Sequence, residues 1–295
     1  MGTRLTRWRF SSVATPTIQR RRLGNALKRA REEAGKTQDA AAEVIDAAAS
    51  KISRLELGQS GIKQTDLTLL LTFYGVRGEQ AEPLRELARA GRQRGRWTGY
   101  RDAIPDWFRT YVDLEADASE LRWYQPEVVP GILQIESYIR AMNSSALQQV
   151  SKDAAEQQLK VRLQRQAIID QPSAPLLNFI LSESALRRNV GDTSTMGEQL
   201  HHLAEVAERP NVELQVLPFD AQTFGAAWVG FTIMRFDHDA ASDVVYLEDY
   251  TDATYLDRPD GVQTYTRLWN RLQAAAMGQA ESRSMIVGLA KAAGR

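Results

Sequence analysis

The chain contains no cysteine among its 295 residues. That excludes a disulfide framework, a thiolate zinc site and a cysteine nucleophile, and it suits a reducing compartment. Histidine is scarce: only His201, His202 and His238 occur. His201 and Glu205 share a helical face, but an exposed polar i,i+4 pair explains them, so no metal site is expected. Asp237, Asp239 and Asp243 lack the glycine and terminal glutamate of a calcium loop and read as turn residues. No nucleophile elbow, phosphate loop or dinucleotide fingerprint is present, so no catalytic residues, no cofactors and no enzyme are expected. Long apolar runs are missing as well. None approaches about 18 residues, so no membrane-spanning helix is expected. The basic start, with Arg4, Arg7 and Arg9, is not followed by the apolar stretch of a secretory signal.

Net charge is also absent, at 37 basic and 37 acidic residues. The balance conceals a division. Residues 1–99 hold 19 Lys/Arg against 10 Asp/Glu, an excess of +9, and the remainder carries −9. Such asymmetry points to a nucleic-acid or membrane contact made by the basic half.

What is present is ordinary globular material, 43% hydrophobic and 25% charged, long enough for two domains. Residues 1–18 lack periodicity and read as a flexible basic arm. Residues 19–97 read as five short helices: 20–35, 37–45, 48–57, 64–74 and 79–96. Leu23, Leu27, Ala30 and Ala34 fall on one face of the first, and Leu67, Leu70, Leu71 and Tyr74 on one face of the fourth. Residues 98–295 change texture. Helical patterns at 105–121, 135–141, 153–170, 195–208 and 262–277 alternate with strand-like runs at 176–181, 212–217, 229–236 and 244–247. The last two flank a polar turn and read as a hairpin. The expected fold is therefore an all-α five-helix domain followed by an α+β domain with a mostly antiparallel sheet.

Gln38 to Leu57 reads QDAAAEVIDAAASKISRLEL. Counted from Gln38, the fifth residue is Ala42, the ninth Asp46 and the fifteenth Ile52. A helix-turn-helix needs a small residue at the fifth position for close approach, a left-handed residue at the ninth, and an apolar plug at the fifteenth. Asp is among the few non-glycine residues that tolerate that conformation. Ala48 offers no side-chain cap to the following helix, so Asp46 is expected to cap it.

These residues resemble the Xre/Cro/phage-repressor class, whose closing ISRLE-x-G stands here at 52–58. Further stretches, RRRLGNALKRAREEAGKTQ, LEADASELRWYQPEVVPGILQIESYIRA and VELQVLPF, resemble WhiJ-like actinobacterial regulators with a large C-terminal domain. The resemblance implies double-stranded DNA as partner, with Gln38 opening the second helix onto the backbone or a base edge. It places Ser50, Lys51 and Arg54 on the outward face of the recognition helix, with Arg54 the candidate for a guanine contact. Thr37 and Lys63 are expected phosphate contacts. Arg31 and Glu56 match a buried structural ion pair of the class.

The stretch 123–133, WYQPEVVPGIL, reads either as a rigid connection or as part of a ligand or partner surface. In the second reading Trp123 and Tyr124 join Phe219, Phe224 and Trp228. The function expected is a cytoplasmic, nucleoid-associated transcription regulator, a homodimer whose C-terminal domain senses a ligand or small protein. The alternative that the WhiJ-like resemblance implies is an antitoxin-like protein that holds a small BldB-like partner and regulates its own operon.

Overall fold

The computed structural model describes residues 16–92, 104–146, 151–171, 173–222, 228–237, 243–250 and 252–293. Most of the basic arm, with Arg4, Arg7 and Arg9, lies outside the described residues, as do Phe224, His238 and Asp239. The chain divides into two compact units, Met1–Arg96 and Trp97–Arg295.

The first unit is helical: α1 (Pro16–Glu33), α2 (Gln38–Val44), α3 (Ala49–Glu56), α4 (Gln64–Phe73) and α5 (Ala81–Ala90). The apolar stripe read from the sequence is its core, with Leu23, Leu27, Ala41, Ala42, Ile52, Leu55, Leu67, Leu70 and Leu71 buried together. Four successive helices end in the same way. After α1, α3 and α4 a glycine adopts positive φ (Gly35, Gly58, Gly75), and after α2 Asp46 does so, at 49°. At each end the next N–H reaches five residues back: Lys36 to Arg31, Ala47 to Ala42, Gln59 to Arg54 and Val76 to Leu71. This is the Schellman arrangement, which satisfies carbonyls that a helix end leaves orphaned. It turns the chain sharply enough to fit five helices into one small core.

The second unit is an α+β domain around a six-stranded mixed sheet. Its strands are β1 (Glu120–Gln125), β2 (Leu176–Ser182), β3 (Val212–Leu217), β4 (Phe231–Arg235), β5 (Val244–Glu248) and β6 (Ala253–Leu256), in the order β3-β2-β1-β4-β5-β6. Three pairings are antiparallel, β1 with β4, β4 with β5 and β5 with β6; β1–β2 and β2–β3 are parallel. The parallel steps need crossovers. These are supplied by α7 (Glu136–Ser144) and α8 (Lys152–Gln166), then by α9 (Glu183–Arg187) and α10 (Thr193–Val206). The expected hairpin is the β4–β5 pair, with Ile233 opposite Val245. Asp243 accepts from Arg235 Nε and from the Phe236 N–H at its closed end.

Helices cover the sheet because strands buried on both faces cannot meet water. On one face Tyr124, Ile180, Phe231, Ile233 and Val245 pack under Trp269 and Leu272 of α11 (Pro259–Ala275). On the other, Trp123 stacks on Phe179 at 4.7 Å and donates from Nε1 to the hydroxyl of Tyr111 on α6 (Asp106–Asp117). α12 (Gln279–Ala293) completes the unit, Ser282 accepting the Val216 N–H from β3. The sequence reading missed β1, β6, α9 and α12.

Candidate functional site

The helix-turn-helix is built from α2, the turn 45–48 and α3. Asp46 occupies the ninth position in the left-handed region expected of it, and Ile52 is 1% exposed between the helices. Ala42 is buried where α2 and α3 approach. Asp46 does not cap α3, however. The N-cap residue is Ala48, with no side-chain hydrogen bond. Asp46 is used as the αL residue that ends α2, and that position directs its backbone rather than its carboxylate to the turn.

α3 is held from behind by a buried ion pair. Arg31 Nε donates to Glu56 Oε1 at 2.6 Å and Nη2 to Oε2 at 3.1 Å, while Nη1 donates to the Lys36 carbonyl at 2.8 Å. Glu56 holds the Arg31 guanidinium above its ordinary pKa through these bonds, against the opposing effect of burial. The pair ties α1 and its terminal turn to the last turn of α3. Gly24 closes the same contact: a Cβ there would lie 2.5 Å from the Glu56 carbonyl oxygen, so only glycine permits this approach.

The opposite face of α3 is open. Ser50 and Arg54 are exposed one turn apart, and Arg54 Nε donates to the Ser50 carbonyl at 3.3 Å. Ser53, which the sequence reading passed over, falls on the same side by helical spacing. Lys51 is engaged elsewhere, donating to Asp66 Oδ2 of α4 at 2.7 Å. Gln38 Nε2 donates to Glu56 Oε2 at 2.8 Å, so it is bound into the Arg31–Glu56 network. Thr37 is the N-cap of α2 and accepts the Ala40 N–H at 3.1 Å. Lys63 is exposed at the start of α4.

The second unit contains a cavity of about 500 Å³. Phe108 and Tyr111 of α6 stack at 4.8 Å along it, and Tyr246 of β5 packs against Tyr111 at 4.4 Å. Two arginines of α8 line it. Arg165 is fully compensated: Nε and Nη2 donate to both oxygens of buried Glu115 at 2.7 Å, and its guanidinium lies over the Phe108 ring at 4.9 Å. Burial opposes the charge of Arg165, but Glu115 holds its pKa above the ordinary value. Among the described residues Arg162 makes no such ion pair, though Glu248 attracts it from a greater distance. Its Nη1 donates to Gln134 Oε1 at 2.7 Å, and Gln134 is aimed by its own bond from Nε2 to the Val129 carbonyl.

The model for a domain of unknown function, DUF5753, matches residues 108–287, well over half of the chain. The chain belongs to the DUF5753 family. A second model, a helix-turn-helix domain, matches residues 22–84 of this DUF5753 protein and makes its first unit a DNA-binding one, of the kind that regulates transcription. No curated protein and no solved structure matches the chain.

Within the DUF5753 unit the structure separates the residues of the expected aromatic surface. Trp123 and Tyr124 lie on β1, 3% and 0% exposed, their side chains directed to opposite faces of the sheet. Tyr124 belongs to the core under α11, where burial pushes its hydroxyl up to about 12. Trp123 instead walls the cavity. Phe219 and Trp228 are exposed, at 65% and 80%. Among the described residues, no helix is long and apolar enough to cross a membrane.

Proposed function

We propose that this chain is a sequence-specific transcriptional regulator that inserts α3 into the major groove of double-stranded DNA, in the manner of Xre-type and WhiJ-like proteins. The observation that carries the reading is the pairing of a left-handed turn at Asp46 with a two-sided α3. Ile52 and Leu55 are buried in the core, while Ser50 and Arg54 stand exposed on the other side. Arg54 is the residue for a bidentate contact to guanine. Thr37 and Lys63 sit at the exposed starts of α2 and α4, suited to phosphates. A glutamine amide carries two N–H donors and a lysine three, so Gln38 and Lys51 keep donors for DNA beyond their bonds to Glu56 and Asp66.

The DUF5753 unit serves as a dimerisation and sensing domain rather than an enzyme, and the protein works in the cytoplasm on the nucleoid. The acidic half has −9 and would repel a duplex, so its contribution to affinity comes through pairing two helix-turn-helix units. An antitoxin-like role, holding a small BldB-like protein, is the second reading. The exposed Phe219 and Trp228 favour it, because large aromatic side chains in water suit a protein partner.

Selection of duplexes from a random pool by the full chain, with sedimentation of the complex, tests the first reading. A two-part site is expected, its halves centred roughly 34–36 Å apart, bound by a dimer. A monomer on one short element would contradict dimeric recognition, and no enrichment would contradict sequence reading altogether.

A further inference from the structure

We infer that the cavity beside α8 binds a small planar monocarboxylate, its carboxylate on Arg162 and its ring against the Phe108, Tyr111 and Tyr246 wall. The inference rests on the reading of the DUF5753 unit as a sensing domain and names what it senses. The volume, about 500 Å³, falls within the range of small-molecule sites. Its wall is aromatic on one side and carries the one guanidinium there that no carboxylate pairs among the described residues.

A guanidinium offers five N–H donors in a rigid fork matched to a carboxylate. Arg162 commits Nη1 to Gln134, and Gln134 is fixed by Val129, so the fork is held in place before any ligand arrives. Burial and the like charge of Arg165 pull the pKa of Arg162 below its ordinary value, and the attraction of Glu248 opposes them without outweighing them. Three carboxylates at the cavity set the limit on ligand charge. Glu127 pairs with Arg188, Glu248 accepts from the Tyr246 hydroxyl at 2.8 Å, and Asp249 also lines the opening. With these close by, a second negative charge on the ligand is repelled. A monoanion is selected over a phosphate dianion.

The ring wall supplies the rest of the recognition. Phe108, Tyr111 and Tyr246 pack on one another along the cavity, Tyr111 and Tyr246 almost fully buried and Phe108 partly exposed, and give a flat ligand an aromatic wall to lie against. Thr232, Gly131 and Gly230 add small groups to the lining.

Titration calorimetry of the full chain without DNA tests this, using benzoate, phenylacetate and indole-3-acetate, their uncharged amides, and inorganic phosphate. At least one carboxylate is expected to bind about tenfold or more tightly than its own amide, the usual worth of a charge-assisted bond, and more tightly than phosphate. Arg162→Gln, checked for an unchanged thermal melt, is expected to bind that carboxylate no better than the amide. Equal binding of acid and amide by the unaltered chain would overturn the proposal. So would tighter binding of phosphate, no binding of any carboxylate, or undiminished preference in the folded variant. DNA is absent throughout, so failure here leaves the DNA-binding reading standing, and failure of duplex selection leaves this one standing.

Discussion

Asp46 shows what a single residue decides in this protein. It is the only non-glycine residue with positive φ among the described residues, and it does the work that glycine does after α1, α3 and α4. An L-residue in that conformation carries a cost of roughly 1–2 kcal/mol, reduced for aspartate by local hydrogen bonding. Asp46→Gly is therefore expected to raise the stability of the chain by about 0.5–1 kcal/mol, and Asp46→Ala to lower it by about 1 kcal/mol. Urea unfolding of the two variants checks this, and an unchanged midpoint in both would show the turn to be free of strain. The conformation was legible beforehand because its requirement is local: a fixed position in a helix pair admits few residue types. The capping role expected of the same aspartate was not borne out, since both roles suit its side chain and only the fold decides between them.

At the scale of elements, α1, α2 and α3 are locked by one network. Glu56 receives both Arg31 and Gln38, and Arg31 also bonds the Lys36 carbonyl. Removing one member of a buried pair strands the other charge, at about 3–5 kcal/mol, whereas replacing both by apolar groups of like size is close to neutral. Glu56→Leu alone is thus expected to unfold the first unit far more readily than Arg31→Met with Glu56→Leu. Denaturation of the single and double variants decides it, and equal losses would mean that the pair itself supplies the stability. Strands with apolar runs were read from the sequence almost to their ends, as with β3 at Val212–Leu217. Helix ends drifted by several residues: the helix read over 79–96 is α5, Ala81–Ala90, and the one read over 105–121 is α6, Asp106–Asp117. β1 was not read, because ELRWYQ mixes charge with aromatics. Its Arg122 lies over the ring of Trp269, a partner 147 residues away that no local pattern announces. The cavity was hidden for the same reason: Tyr111, Gln134, Arg162 and Tyr246 come from separate elements and carry no shared spacing.

Across the whole molecule, charge divides between the two units. The basic excess lies in residues 1–99 but in the stretches that flank the helix-turn-helix match, which itself holds nine basic and nine acidic residues, and the acidic excess lies with the DUF5753 match. The helix-turn-helix match assigns duplex binding to the first unit. Within the basic unit, general attraction to phosphate and the reading of bases are separate terms, and under the proposed recognition only the second depends on the outer face of α3. The most direct measurement compares the unaltered chain with Arg54→Ala, at one fixed salt concentration, on a selected duplex and on random duplex. The account predicts a loss of about 1–3 kcal/mol on the selected site, with random DNA bound nearly as before. Equal loss on both duplexes, or no loss on either, would contradict it.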